Sequence, residues 1–174
     1  MTRLVRIPVE PLTDAAFEPF GRVLAASDRP PDYRGDGGSY GWRVPFELEG
    51  RLRVSVSVAP FQGLRCTRLE RHFHVTQTFV PLDGPPAVVA VAPPTDAGDP
   101  EAVPPPETVR AFLIDGARGY LLGKGTWHSL DRYPLGPAAA TFVVLNEQET
   151  AQDPTRSQIV DYAARWDLTF ELVP

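Results

Sequence analysis

All three histidines of the chain fall in two short windows. The first reads Arg68-Leu69-Glu70-Arg71-His72-Phe73-His74-Val75-Thr76-Gln77, the second Gly123-Lys124-Gly125-Thr126-Trp127-His128-Ser129. An imidazole titrates near pH 6.5 when unperturbed, which suits it to moving protons at neutral pH. Side chains alternate across a strand, so an extended first window sets Glu70, His72 and His74 on one face. In the second window two glycines flank Lys124 and leave the backbone free to approach a ligand. The lysine ammonium is a compact charge for an anion, and the Gln77 amide offers both a donor and an acceptor.

These windows need strands to carry them. The 174 residues include 20 prolines and 14 glycines, and prolines this frequent interrupt long helices. Strands are predicted over 4–9, 51–58, 69–82, 87–92, 109–114, 120–122, 139–145 and 168–173, separated by turn residues such as Asp83-Gly84-Pro85-Pro86. Residues 51–58 alternate apolar and polar, which predicts a strand with one face in a core. Thr13 can cap a short helix over 14–18. Asp153-Pro154 reads as a helix start, whereas Ile159-Val160 reads equally well as strand. Residues 27–41 are loop by composition. A proline-rich stretch over 93–107 reads as an ordered surface loop or a flap, not a linker, because similar strands lie on both sides. The pattern predicts one all-β domain over 1–174, a jelly-roll barrel or sandwich with short peripheral helices.

Composition narrows the function. With 17 basic against 22 acidic residues and a net charge of -5, the chain lacks the basic footprint that nucleic acid requires. No apolar run approaches the roughly 20 residues that span a bilayer, and Pro8 and Glu10 stand where a signal peptide needs its apolar stretch. Cys66 is the only cysteine; it excludes an internal disulfide and reads as a small buried apolar residue. The expectation is a cytoplasmic protein with neither a nucleic-acid nor a membrane partner.

The segments Leu69-Glu70-Arg71-His72, Gln77-Thr78-Phe79-Val80-Pro81-Leu82, Val88-Val89-Ala90-Val91-Ala92-Pro93-Pro94, Val109-Arg110-Ala111-Phe112 and Gly125-Thr126-Trp127-His128 together resemble the ureidoglycolate lyase family. The opening, with Leu12, Phe17, Phe20-Gly21 and Val23, resembles the family's start. The resemblance runs from about residue 4 to 145. It implies a cupin-like double-stranded β-helix, a homodimer, and cleavage of a ureidoglycolate-type carbinol urea to glyoxylate and urea, a step of allantoin and purine breakdown. The chain departs from the family at Leu122, where a tyrosine is usual, at Ser129 and Leu130, and at Asn146-Glu147, where an aspartate is usual. Those departures point to an altered pocket, with another small 2-hydroxy or oxo acid as the alternative substrate.

Such an elimination needs a base for the hydroxyl proton, an acid for the leaving nitrogen and a cation for the carboxylate. His128 is the expected base or acid, with Glu70 or His72 as its partner. Lys124 is the expected carboxylate anchor; Gln77, Arg71 and Trp127 are expected to bind substrate. A metal, whether nickel, manganese or zinc, is a further expectation: His72-Phe73-His74 resembles the His-x-His of metal cupins, and His128 supplies a third imidazole. Two other readings stay open, a non-catalytic cupin-like protein that binds a small molecule, and an interaction module using Pro104-Pro105-Pro106.

Overall fold

The computed structural model describes residues 2–174. Along the chain run β1 (Arg3–Pro11), α1 (Asp14–Phe17), β2 (Gly21–Leu24), a small hairpin of β3 (Tyr33–Arg34) and β4 (Tyr40–Gly41), β5 (Leu52–Ala59), β6 (Arg65–Cys66), β7 (Arg68–His72), β8 (Gln77–Asp83), β9 (Ala87–Ala92), β10 (Arg110–Ile114), β11 (Gly119–Leu122), β12 (Trp127–Ser129), β13 (Tyr133–Pro134), β14 (Ala140–Glu147), β15 (Ser157–Asp161), α2 (Tyr162–Trp166) and β16 (Leu168–Val173). The larger sheet has the order β15-β7-β12-β9-β10-β1-β16-β6, with β13 also on β9; the smaller is β2-β11-β8-β14-β5. Pairing is antiparallel except where β1 runs parallel to β10 and β16.

The two sheets close on an apolar barrel interior. Val89 and Val91 of β9 and Phe112 of β10 meet Phe79, Tyr120, Phe142 and Val144 of the smaller sheet. This is a cupin-like jelly roll, nearly all β, with two short helices. Thr13 caps α1 as its side chain accepts from the Ala16 N–H, and Phe17 of that helix is fully buried at the barrel's side. The ambiguous stretch near the C-terminal end contains both elements: β15 runs straight into α2, whose first turn is capped by Asp161.

The larger sheet is covered on its other side as well. Val88, Ala90, Ala92, Leu69 and Trp127 pack there with Tyr162 and Phe170 in a second apolar layer. Burial on both faces explains why β9 reads Ala-Val-Val-Ala-Val-Ala without alternation. The proline-rich stretch is strapped over this second layer. Arg71 donates from Nη1 to the Thr95 carbonyl at 2.8 Å and from Nη2 to the Asp96 carbonyl at 3.1 Å. The Tyr162 hydroxyl donates to the Pro104 carbonyl at 2.7 Å, and Gln158 Nε2 to the Pro100 carbonyl at 2.7 Å. Residues 93–107 are therefore an ordered strap on the sheet's outer side, not a flap over the barrel.

Strand β5 inverts the expected orientation. Its valines, Val54, Val56 and Val58, are 62–66% exposed, while Arg53 and Ser55 are half-buried. The register with β14 decides this, because Ser55 lies opposite Val144 and Arg53 opposite Asn146. Val144 already faces the barrel interior, so the serine and arginine share that face and the valines turn outward.

Replacing Arg71 by alanine should release the strap without touching the barrel interior. Expected are a loss of roughly 2–4 kcal/mol in unfolding free energy, the scale for removing charged hydrogen bonds from a buried network, and faster proteolysis within 93–107. Unchanged stability by chemical denaturation would contradict the strap's anchoring.

Candidate active site

Glu70, His72 and His128 are placed by the alternation of β7 and β12. His128 lies directly opposite Glu70 in the antiparallel register of these strands, and opposite Val91 on its other side. Val91 faces the barrel interior, so His128, Glu70 and, two residues on, His72 face it too. The Gly125 N–H donates to the His72 carbonyl at 2.8 Å. Gly125 reaches that bond with φ +74, a left-handed conformation natural to glycine. That turn delivers the chain into β12.

Glu70, His72 and His128 converge, with one ligand-capable atom from each lying within 4.8 Å of the others. Glu70 Oε1 is 3.9 Å from His72 Nε2 and 3.8 Å from His128 Nδ1, and the imidazole centroids are 5.4 Å apart. Burial pushes the Glu70 carboxyl up to about 7 and the His72 imidazole down to about 4. Burial, followed by the charge of Arg132, also drives His128 well below its usual value. Near neutral pH both imidazoles are thus uncharged, and Glu70 is poised between acid and carboxylate. His128 Nδ1 lies 3.1 Å from the Ser129 carbonyl. A carbonyl only accepts, so Nδ1 carries the proton and Nε2 keeps its lone pair. That Nε2, both His72 ring nitrogens and Gln77 Oε1 are buried without a hydrogen-bond partner.

Other expected residues lie elsewhere. Arg71 and Trp127 sit on the opposite face of the larger sheet, correcting their expected role at substrate. The Arg71 guanidinium stacks 4.6 Å from the Trp127 ring, and Trp127 Nε1 donates to the same Thr95 hydroxyl that Arg71 binds. The alternation that unites Glu70 and His72 sends Arg71 behind them. His74 does not join the expected His72, His74 and His128 set, because β7 ends at His72. The chain then pairs through Leu48 and Val75 with the preceding segment, and His74 Nδ1 meets the Glu49 carboxylate at 2.9 Å. Glu70 takes the third place. Lys124 is not free for a substrate carboxylate either: its Nζ lies 2.8 Å from Glu49 and 3.5 Å from Glu47. Lys124, joined by His74, holds the Glu49 carboxyl down at about 2.

Two arginines enter the barrel that residue patterning missed. Arg132 is 3% exposed and lies 3.8 Å over the Phe79 ring. It donates from Nε to the Tyr120 hydroxyl and from Nη1 to the Ser129 carbonyl at 2.6 Å. Arg53 faces inward with a buried, unpartnered Nε. In sequence Arg132 reads as part of a solvated Asp-Arg-Tyr-Pro turn, and Arg53 as the polar side of a strand whose valines seemed destined for the core. A cleft of about 530 Å³ beside β2 contains none of the histidines, and its Arg22 is already near Glu18.

The family model described as ureidoglycolate lyase matches residues 4–163. The chain belongs to the ureidoglycolate lyase family. Among its relatives, a protein named ureidoglycolate lyase from Azotobacter vinelandii is 37% identical over 129 residues, covering 70% of this chain and 74% of that one. A namesake from Pseudomonas aeruginosa is 39% identical, covering 70% and 73%. One from Rhodobacter capsulatus is 34% identical over 146 residues, covering 80% and 85%. A dTDP sugar isomerase structure from Desulfovibrio desulfuricans G20 aligns with 84% of this chain and 88% of its own at TM-score 0.43 and 17% identity. The converging Glu70, His72 and His128 come from the two windows through which the sequence resembles the ureidoglycolate lyase family.

The raised Glu70 carboxyl gives a signed stability prediction. Between about pH 4.5 and 7 the unfolded chain loses this proton while the folded chain keeps it, so rising pH destabilises the fold through that window. Glu70→Gln removes the effect. In EDTA-treated protein its Tm should exceed that of the wild type at pH 8 and converge with it near pH 4.5. The gap amounts to a few kcal/mol at most, at about 1.4 kcal/mol per pKa unit. Parallel Tm profiles for the two proteins would refute the perturbed carboxyl.

Proposed function

We propose that this member of the ureidoglycolate lyase family cleaves ureidoglycolate to glyoxylate and urea inside the barrel, using His128 and Glu70 as its proton-transfer pair. The observation that carries the reading is the buried convergence of Glu70 with two imidazoles, one with an unpartnered Nε2, where burial pushes the carboxyl up and both imidazoles down. His128 Nε2 takes the carbinol proton, the oxygen's electrons form the new carbonyl bond, and the C–N bond breaks. Protonated Glu70 supplies the leaving urea nitrogen. As the products leave, His128 gives up the proton on Nε2 to solvent and Glu70 takes one back from solvent, which resets the site. His72, neutral and unpartnered, accepts a hydrogen bond from substrate, and Gln77 Oε1 accepts from a ureido N–H. Enzymatic proton transfer is favoured over bare ligand binding because a binding site alone does not require this pairing of shifted groups.

A divalent metal fits the same donors. Two buried imidazoles with unpartnered nitrogens and one carboxylate form a set that suits nickel, manganese or zinc. His72, His128 and Glu70 would hold the ion, with Arg132 and Arg53 as positive charges acting against it on the same side. Bound there, it would act as a Lewis acid toward a substrate oxygen.

A second copy of the chain is the partner this reading carries. The outer face of the smaller sheet lines up Val56, Val143 and Val80 across three strands, with Val54 beside Leu145. Leu52, Val54, Val56, Val58 and Leu82 on it are 49–66% exposed. Contiguous apolar surface of this kind marks an association site. As an edge strand, β5 can meet its own copy about a two-fold axis, covering face and edge together. A cytoplasmic location and a place in allantoin breakdown accompany the reading. No helix among the described residues is long and apolar enough to cross a membrane.

Metal-stripped protein and protein reloaded with nickel, manganese or zinc should be assayed for glyoxylate release from racemic ureidoglycolate. His128→Ala should lower kcat at least a hundredfold, in line with removal of a general acid–base group, while His74→Ala stays within about twofold, as expected of a surface group. Near-normal turnover in His128→Ala, or no release by wild type under any metal condition, would overturn the reading. Light scattering should find a dimer that Val56→Lys converts to monomer; a monomeric wild type would remove the second copy.

A further inference from the structure

We infer that Arg132 is the residue that receives the substrate's carboxylate, and that it selects for small acids bearing a hydroxyl on the carbon next to that carboxylate. This deepens the lyase reading and rests on it for the identity of the acid, not for the presence of an anion subsite.

The argument begins with an uncompensated charge. The Arg132 side chain is buried, and among the described residues no carboxylate lies within 4 Å of its guanidinium. Its bonds all go to neutral oxygens: the Tyr120 hydroxyl from Nε, and the Ser129 and Asp131 carbonyls from Nη1. Nη2 is buried with no partner at all. Glu70 feels the charge of Arg132 across the barrel without bonding to it, and a buried cation without a bonded anion is costly. The Phe79 and Tyr120 rings, stacked with centroids 5.3 Å apart, hold the guanidinium plane, so the side chain is kept in place rather than left to find solvent.

Its position relative to the proton-transfer pair is set by one shared atom. The Ser129 carbonyl accepts from Arg132 Nη1 and also from His128 Nδ1. Guanidinium and imidazole are thus tied to a common point, each with one free nitrogen. An acid whose carboxylate meets Nη2 brings the adjoining carbon, with its hydroxyl, toward His128. The carbon bearing the reactive O–H in ureidoglycolate is that adjoining carbon. A planar guanidinium also matches a carboxylate better than an ammonium does, and Lys124 is already committed to Glu47 and Glu49.

The test uses glycolate and its uncharged amide, glycolamide, as calorimetric probes of the full-length protein at pH 7.5. Wild type should bind glycolate at least tenfold more tightly than glycolamide. Arg132→Gln should weaken glycolate at least tenfold and leave glycolamide unchanged, while raising KM for ureidoglycolate more than it lowers kcat. Lys124→Ala should keep the wild-type preference. Near-ultraviolet circular dichroism checks folding. If Arg132→Gln fails to fold, Arg132→Lys decides, with glycolate weakened several-fold and glycolamide unaffected. Equal glycolate affinity in wild type and the folded Arg132 variant, loss of preference in Lys124→Ala, or no preference in wild type would each overturn the assignment. Wild type that discriminates between the probes yet releases no glyoxylate would retain the anion subsite and discard the lyase reading.

Discussion

The register between β7 and β12 is the constraint on which the site depends. One backbone pairing sets His128 opposite Glu70, and period-two alternation then assigns every neighbour to one side of the sheet or the other. Sliding β12 by one residue would send His128 into the strap layer and bring Trp127 into the barrel. The surrounding contacts hold this register from several directions. β15 pairs with the far edge of β7, β9 pairs with the far edge of β12, and the Gly125 amide is hydrogen-bonded to the carbonyl of His72. Fold and chemistry therefore share one set of hydrogen bonds.

Desolvation supplies the rest. Burial in the barrel disfavours charge, so it holds both imidazoles neutral and lifts the Glu70 carboxyl toward neutrality. The same environment strengthens any interaction made with an anion inside it. Outside the barrel, where Lys124, Glu47, Glu49 and His74 gather, the same residue types form an ordinary solvated network and carry no such tension. The contrast separates the two histidines buried in the barrel from His74, which meets Glu49 outside it.

Much of the architecture was legible from residue patterning, and the departures have physical causes. Strand β16 falls on the residues expected, because its alternation coincides with burial on one side. Glu70, His72, Gln77 and His128 stand out because scarce residue types cluster in two windows, and the structure brings Glu70, His72 and His128 together. An extended backbone continuing through Val75 would put His74 in that group, but β7 ends at His72 and Val75 pairs with Leu48 instead. The valines of β5 point outward because an edge strand takes its orientation from its neighbour, and hydropathy alone does not reveal which neighbour that is. Arg132 and Arg53 were hidden by the ordinary expectation that arginine seeks water. Arg71 illustrates the opposite case: its motif was recognised, but its side of the sheet follows only from the alternation.

The strap over 93–107 forms a wall behind the histidines. Prolines at 93, 94, 100, 104, 105 and 106 leave it few backbone conformations when unfolded, so fixing it removes little chain entropy. A flexible loop of the same length would charge the native state far more for the same hydrogen bonds to Arg71 and Tyr162. The stiffness of this segment thus lets its hydrogen bonds to Arg71, Gln158 and Tyr162 back the sheet that carries Glu70, His72 and His128 at small entropic cost.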